Sequence, residues 1–325
     1  MNVWSGLLEA LRRHGAAALV SVVGTQGSSP REAGARMIVG ADRSFTGTIG
    51  GGTLEWQAIE KAASMAKPGS DPRTVLRSQA LGPDLGQCCG GRVDLLYEAF
   101  DARDVDAVAA FADREARGSF VTRGVMTDAG VRREIRAVDM PVGALQFSGG
   151  VLAEGFGDIS REVVLFGAGH VGRALVLALA PLPFRVTWYD QRSEMFPARY
   201  PAAATARVLG TPEAAAAAAS RGSFAVVMTH SHQLDQQVVD ALLRDGRADY
   251  VGLIGSRTKR VRFTRRLAEA GLPEGRLERL VCPIGVPGVR SKHPAAIAAS
   301  VAVQLLERDE ALRASSAVPA VDSRA

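Results

Sequence analysis

Glu162-Val163-Val164-Leu165-Phe166-Gly167-Ala168-Gly169-His170-Val171-Gly172 decides the fold of this chain. An apolar run of strand length passes directly into Gly-x-Gly-x-x-Gly, and Arg173 to Leu179 continues with helical composition. Only between a strand and a helix does this glycine pattern have a physical meaning. The first glycine permits a tight turn. The second lets a pyrophosphate approach the backbone, and the N-terminus of the following helix favours its charge. The next strand, Arg185 to Tyr189, ends at Asp190, 18 residues beyond Gly172, where a carboxylate can accept from a ribose hydroxyl. The pattern leaves the ligand open between NAD(P), another phosphate-bearing molecule and none. Arg192 either favours a 2′-phosphate or pairs with Asp190.

Downstream, helices and strands alternate. Helices are expected over Glu213 to Ser220, Leu234 to Arg244, Ser256 to Ala270 and Pro294 to Leu306, and strands over Ser223 to Met228 and Tyr250 to Ile254. That alternation implies a Rossmann-like, doubly wound parallel sheet. The small, polar tail from about Ala311 to Ala325 is expected to be disordered. Thr229-His230-Ser231-His232 falls at a strand end, the edge where such sheets bind ligands. On a continuing strand His230 and His232 would share a face, with Asp235 within reach. An acid/base or phosphate-contacting histidine fits best, against metal binding or simple capping of the next helix. His170 can touch the ligand of the glycine loop. In Gly252 to Arg260, Ser256 can cap a helix, and Arg257 and Lys259 either reach an anion or form a solvated basic face.

Upstream the pattern is mixed α+β. Trp4 to Arg13 has helical spacing, and Ala17 to Val23, Ala35 to Val39 and Ser44 to Ile49 read as strands. Thr53 is expected to cap a helix over Leu54 to Met65, and Thr74 to Gln79 and Val93 to Glu98 are further strands. Three glycine-rich polar loops lie between them. Gln26 to Arg31 offers Ser28, Ser29 and Arg31. Gly50-Gly51-Gly52 opens a helix with bare N–H groups, a nest for an anion. Leu81 to Gly91 contains Gln87, Cys88 and Cys89. Convergence of these loops on one site is inferred. Adjacent cysteines have poor geometry for a disulfide with each other and for sharing one tetrahedral zinc. They are read as thiols for a soft ligand or for sulfur chemistry, against inward packing of one as a small apolar side chain. Asp101 to Arg117 reads as a helix, Ser119 to Met126 and Val131 to Val138 as a hairpin, and Gly149 to Gly157 as a transition. The expected organisation is therefore 1–100, a connector over 101–158, a Rossmann-like domain over 159–309 and a tail over 310–325.

The bulk properties fit two globular domains: 325 residues, 47% hydrophobic, with a net charge of +5. No basic block or aromatic stripe suggests nucleic-acid binding. No apolar run reaches the roughly 18–20 residues of a membrane span, and the N-terminal residues lack the order of a secretory leader. With three cysteines and no disulfide framework, a reducing, cytoplasmic setting is expected.

In combination, Gly27-Ser28-Ser29-Pro30-Arg31 with Gly34-Ala35, Gly47 to Gly52 with Glu55, and Leu81 to Gly91 resemble the XdhC/CoxI family of xanthine dehydrogenase accessory proteins. Gly167 to Gly172, Asp190 with Arg192, Thr229 to His232, Gly252 to Lys259 and Pro283-Ile284-Gly285 fit the same family. Val286 replaces its usual leucine and Ala296 its usual acidic residue. The resemblance implies a molybdenum-cofactor (Mo-molybdopterin) chaperone. Such a protein holds the cofactor while a NifS-like cysteine desulfurase supplies sulfur, then inserts it into the molybdenum subunit of xanthine dehydrogenase. Molybdopterin-synthesis proteins would be further partners, and self-association is compatible with the pattern. Cys88 or Cys89 would bind molybdenum or carry a persulfide. Gln87, Ser28, Arg31, Gly50, Gly51 and Gly52 would hold the cofactor, as would Gly167, Gly169, His170, Gly172, Asp190, His230 and His232. The competing readings are an NAD(P)-dependent oxidoreductase and a redox- or metal-sensing scaffold; on the leading reading the chain is a chaperone rather than a turnover enzyme.

Overall fold

Periodicity at 3.6 residues opens the chain. Helix α1 (Val3–His14) buries Val3, Trp4, Leu7, Leu8 and Leu11 along one stripe and stops at Gly15, whose φ of 75° suits glycine. The computed structural model, which describes residues 2–82 and 90–316, separates into two units, Met1–Ile159 and Ser160–Ala325.

In the first unit, β1 (Ala16–Gln26), β2 (Arg36–Gly40) and β3 (Phe45–Gly47) precede helix α2 (Gly52–Met65). Strands β4 (Thr74–Ala80) and β5 (Arg92–Asp101) complete an antiparallel sheet of order β3-β2-β1-β5-β4. β1 is the central strand and is buried over its first eight residues, as its unbroken apolar run requires. It runs three residues past Val23 into the polar loop, with a register shift between Val22 and Gly24. The helix expected from Asp101 begins as a 3-10 turn at Ala102–Asp104, fixed by a capping box between Asp101 and Asp104. It continues as α3 (Val105–Arg117).

β6 (Phe120–Thr127) and β7 (Gly130–Arg136) form the expected hairpin. The glycine-rich stretch expected as a transition is instead a second hairpin, β8 (Leu145–Ser148) and β9 (Val151–Phe156). Gly149 and Gly150, with φ of 56° and 77°, make its two-residue turn, which the local sequence permits only to such residues. The sheet order is β7-β6-β9-β8. Within the unit, Arg133 of β7 bonds Glu98 of β5 in bidentate fashion at 2.7 and 2.8 Å and Glu154 of β9 at 2.7 Å. Arg36 of β2 adds 3.1 Å to Glu154. Burial works to raise the Glu154 carboxyl, but the two guanidinium groups outweigh it and hold it below its ordinary value. Four buried charges sum to zero here, and removing one partner is expected to cost about 3–5 kcal/mol.

The second unit is the parallel sheet that its alternating pattern predicts. Strand β10 (Arg161–Phe166) leads to α4 (His170–Leu179), β11 (Phe184–Asp190), β12 (Ala204–Val208) and α5 (Pro212–Ala218). There follow β13 (Phe224–Val227), α6 (His232–Asp245), β14 (Tyr250–Leu253), α7 (Arg257–Glu269), α8 (Glu274–Leu277), β15 (Leu280–Val281) and α9 (Pro294–Ser316). The order β12-β11-β10-β13-β14-β15 is third, second, first, fourth, fifth, sixth in chain sequence, the arrangement of dinucleotide-binding sheets. Alternate residues of β10 serve two cores. Val164 and Phe166 pack with α5, α6 and α7, whereas Val163 and Leu165 pack with α4 and α9. Residues 310–316, expected to lie in a disordered tail, continue helix α9. Asp309, almost fully buried, accepts from Arg313 one turn on at 2.7 Å and from Arg161 at 2.5 Å. Among the described residues no helix is long and apolar enough to cross a membrane.

Candidate functional site

The glycine-rich loops of the first unit meet through their smallest residues. A Cβ on Gly50 would lie 2.5 Å from the Pro30 ring, so the 50–52 loop packs directly on the Gly27–Gly34 loop. A Cβ on Gly91 would lie 2.3 Å from the Ser28 carbonyl and 2.5 Å from that of Gln26. The Leu81 N–H donates to the Gly91 carbonyl at 2.8 Å, so Leu81 and Gly91, on either side of the cysteines in sequence, are paired with each other. Gln87, Cys88 and Cys89 themselves lie outside the described residues. Arg31 is half-buried, pairs with exposed Glu32 at 3.1 Å and, with Thr48, lines a cavity of about 520 Å³.

The Gly50–Gly52 nest holds an anion supplied by the chain itself. One carboxylate oxygen of Glu55 accepts from Thr48 Oγ1 at 2.5 Å, Ile49 N–H at 2.9 Å and Gly51 N–H at 3.2 Å. The Gly50 N–H donates to Thr48 Oγ1 at 3.1 Å. Burial tends to raise the Glu55 carboxyl, but the Thr48 hydroxyl and these N–H groups outweigh it and hold it below its ordinary value. Thr53 is not the cap. The cap is Gly51, with φ of 76° and ψ of −175°, a conformation that excludes other residues, and the helix starts one residue earlier than Thr53.

In the second unit each glycine of the loop after β10 has a distinct task. A Cβ on Gly167, whose φ is 118°, would lie 2.3 Å from the Met228 carbonyl. One on Gly172 would lie 2.0 Å from the Gly167 carbonyl, which also accepts from Trp188 Nε1 at 2.9 Å. Gly169 caps α4 and has open space where a Cβ would stand, so a ligand can approach the backbone there. Exposed His170 begins the helix. Asp190 is committed within the chain: Oδ2 accepts from the Ala168 N–H at 2.7 Å, and Oδ1 accepts from Arg192 N–H and Nε at 3.0 Å each. Burial tends to raise this carboxyl, but Arg192 and the Ala168 N–H outweigh it and keep it below its ordinary value. Of the two expectations for Arg192, the pairing is the one observed.

Thr229 to His232 does not continue the strand, so no shared strand face exists. β13 ends at Val227, Ser231 caps α6 by accepting from the Leu234 N–H, and His232 is the first helical residue. His230 and His232, both exposed, nevertheless line one cleft of about 410 Å³ with Asp235, Ser256, Lys259 and Arg262. Ser256 caps α7 as expected. Lys259 turns inward rather than outward: its Nζ donates to Asp235 Oδ2 at 2.7 Å and to the Ile254 carbonyl at 2.8 Å. The other Asp235 oxygen accepts from Thr229 N–H and Oγ1 at 3.0 and 2.7 Å. Cys282 is buried, and burial raises its thiol, against Lys259 and Arg260. Among the described residues no group of three His, Cys, Asp or Glu is placed to hold a metal ion.

The Lys259–Asp235 pair and the Glu55 lock are the features sequence reasoning did not assign. For Glu55 a signal existed, an acid four residues after the cap position. For Lys259 and Asp235, 24 residues apart, none did.

Residues 163–305 match the XdhC Rossmann domain, and residues 10–81 match the XdhC and CoxI family. The chain is 25% identical over 309 residues to the uncharacterized protein YqeB of Escherichia coli K12, covering 94% of this chain but only 46% of YqeB. It therefore spans less than half of that relative. It is also 25% identical over 307 residues to PaoD of the same organism, a molybdenum cofactor insertion chaperone, covering 93% of this chain and 88% of PaoD. The crystal structure of a Bacillus halodurans protein named as a xanthine dehydrogenase has the same fold, with a TM-score of 0.77 over 98% of both chains at 21% identity.

Proposed function

Because the chain belongs to the XdhC and CoxI family, we propose that it is a molybdenum-cofactor chaperone that holds Mo-molybdopterin and delivers it to a molybdoenzyme. The observation that carries this reading is the meeting of three glycine-rich loops, the Gln26 to Arg31 loop touching Gly50 at Pro30 and touching Gly91, at the end of the cysteine segment, at Ser28. The match to PaoD along nearly all of both chains supports it.

On this reading Cys88 or Cys89 supplies a thiolate to molybdenum or carries the persulfide for its terminal sulfido ligand. A soft sulfur donor suits a molybdenum–dithiolene centre. Gln87, Ser28 and Arg31 contact the pterin and phosphate. The nest at Gly50, Gly51 and Gly52 acts through Glu55 as a rigid wall of the site, since the Gly50 and Gly51 N–H groups are already engaged by Thr48 and Glu55. Gly169 and His170 offer the second unit's open helix N-terminus to a phosphate-bearing ligand, with Gly167 and Gly172 shaping the turn and Asp190 bracing it. A cysteine desulfurase of the NifS type supplies sulfur, and the molybdenum subunit of xanthine dehydrogenase receives the product.

A transfer assay tests the delivery step. Loaded protein, cysteine desulfurase and cysteine are mixed with cofactor-free xanthine dehydrogenase. Activity should appear only when all are present, and equal activation by free cofactor without this protein would contradict the reading. The alternative, an NAD(P)-dependent oxidoreductase, draws support from the dinucleotide-type strand order. Fluorescence titration with NADH, with and without candidate substrates, checks it: substrate-dependent oxidation is the result it requires.

A further inference from the structure

The second unit holds a cleft lined by His230 and His232, the two histidines that the family resemblance would give to the cofactor, and the first unit's loops take no part in it. It lies at the carboxyl ends of β13 and β14, between the first turns of α6 and α7, beyond the point where the strand order reverses. Its floor is the buried Lys259–Asp235 pair, in which one charge cancels the other. Its rim carries His230, His232 and Arg262, and among the described residues no acceptor pairs with any of the three. Asp235 is the only acid among the lining residues, and Lys259 neutralises it. The cleft therefore presents one uncompensated guanidinium and two imidazoles to a volume of about 410 Å³.

Helix α7 supplies a separate argument. A helix N-terminus is positive, so acids stabilise its first turn and bases oppose it. Helices α2, α3, α5 and α6 follow that rule, with Glu55, Asp106, Glu213 and Asp235, whereas α1, α4 and α9 have no acid there. The first turn of α7 has no acid and instead carries Arg257, Lys259 and Arg260, followed by Arg262. A concentration of positive charge where the dipole already opposes it lowers the stability of the unliganded helix. Departures from local rules of this kind are expected at binding sites.

We infer that this cleft is an anion site separate from the glycine loop, and that it takes the phosphate of a small-molecule monoester. Arg262 forms the charge-assisted contact, His230 and His232 close the opposite side, and Lys259 is fixed by Asp235 and Ile254 so that the floor does not collapse. The volume admits one heterocycle with its phosphate. A pterin phosphate and a mononucleotide share this chemistry.

The test is calorimetric titration of the full chain with inorganic pyrophosphate, adenosine monophosphate, neopterin monophosphate and unphosphorylated neopterin. Phosphorylated ligands should bind and neopterin should not. Whichever monoester binds more tightly names the source. Arg262→Glu should weaken binding by about tenfold or more, and His230→Ala with His232→Ala should weaken it further. Arg265→Glu, which changes charge equally on the same helix outside the cleft, should leave it within about twofold. Far-ultraviolet circular dichroism confirms that the surface variants fold. No binding at millimolar concentration, or equal weakening by Arg262→Glu and Arg265→Glu, would overturn the inference. None of these readouts requires molybdenum cofactor, so either outcome leaves the reading of the first unit to its own test.

Discussion

Two helices of this protein begin after glycine-rich loops, and their first turns differ in one decisive residue. Counting from the capping glycine, the fourth helical position is Glu55 in α2 and Arg173 in α4. Glu55 folds back and accepts from the Ile49 and Gly51 N–H groups of its own loop. Arg173 points its guanidinium at the Ala168 carbonyl, 3.1 Å away, and the Met195 carbonyl, 2.5 Å away, and leaves the space at Gly169 open. Glycines before a helix thus create a potential anion site. The sign of the side chain one turn later decides whether the chain closes it or keeps it for a ligand.

Substitutions can break this contrast, the largest effect first. Gly172→Ala places a Cβ 2.0 Å from a backbone carbonyl, which cannot yield. It should destabilise the second unit by about 3 kcal/mol or more, read as faster hydrogen exchange confined to residues 160–316. Gly51→Ala meets no neighbour and pays only for its conformation, so about 1–3 kcal/mol is expected, confined to the first unit.

Glu55→Gln removes the charge from the closed nest and should cost about 1 kcal/mol near neutral pH. Its pH dependence sharpens the point. The Glu55 carboxyl is held below its ordinary value of 4.5, so its contribution is fully present above that pH and fades as pH falls through the lower folded value. The difference in unfolding free energy between wild type and Glu55→Gln should therefore shrink on acidification. A constant difference would contradict the lock. Gly169→Ala should be the mildest, within about 0.5 kcal/mol, because its φ is −73° and nothing lies near the added methyl.

The parallel sheet was legible because β10, β11, β13 and β14 are short apolar strands alternating with helices. β12 was not: Ala204 to Val208 is alanine-rich and lies at the sheet edge, so its pairing with β11 carries no strong local signal. The extension of α9 depends on Arg161, 148 residues from Asp309, and no local window contains that contact. The same applies to the sites. Glycine positions marked the loops correctly, and the ends of the three loops in the first unit do meet. Which donors remain available was decided by tertiary placement. Thr48 and Glu55 close one nest, Asp190 is bound to Ala168 and Arg192, and Lys259 turns inward to Asp235. Histidines read as facing one way on a strand instead reach a common cleft from a loop and a helix start.

The most direct test of the central claim is anaerobic purification from a host that makes molybdenum cofactor, with metal content and pterin fluorescence measured for wild type beside Cys88→Ala/Cys89→Ala. The chaperone account predicts near-stoichiometric cofactor on the wild type and its loss from the double variant. A wild type without cofactor, or a double variant that loads as well as wild type, would contradict it.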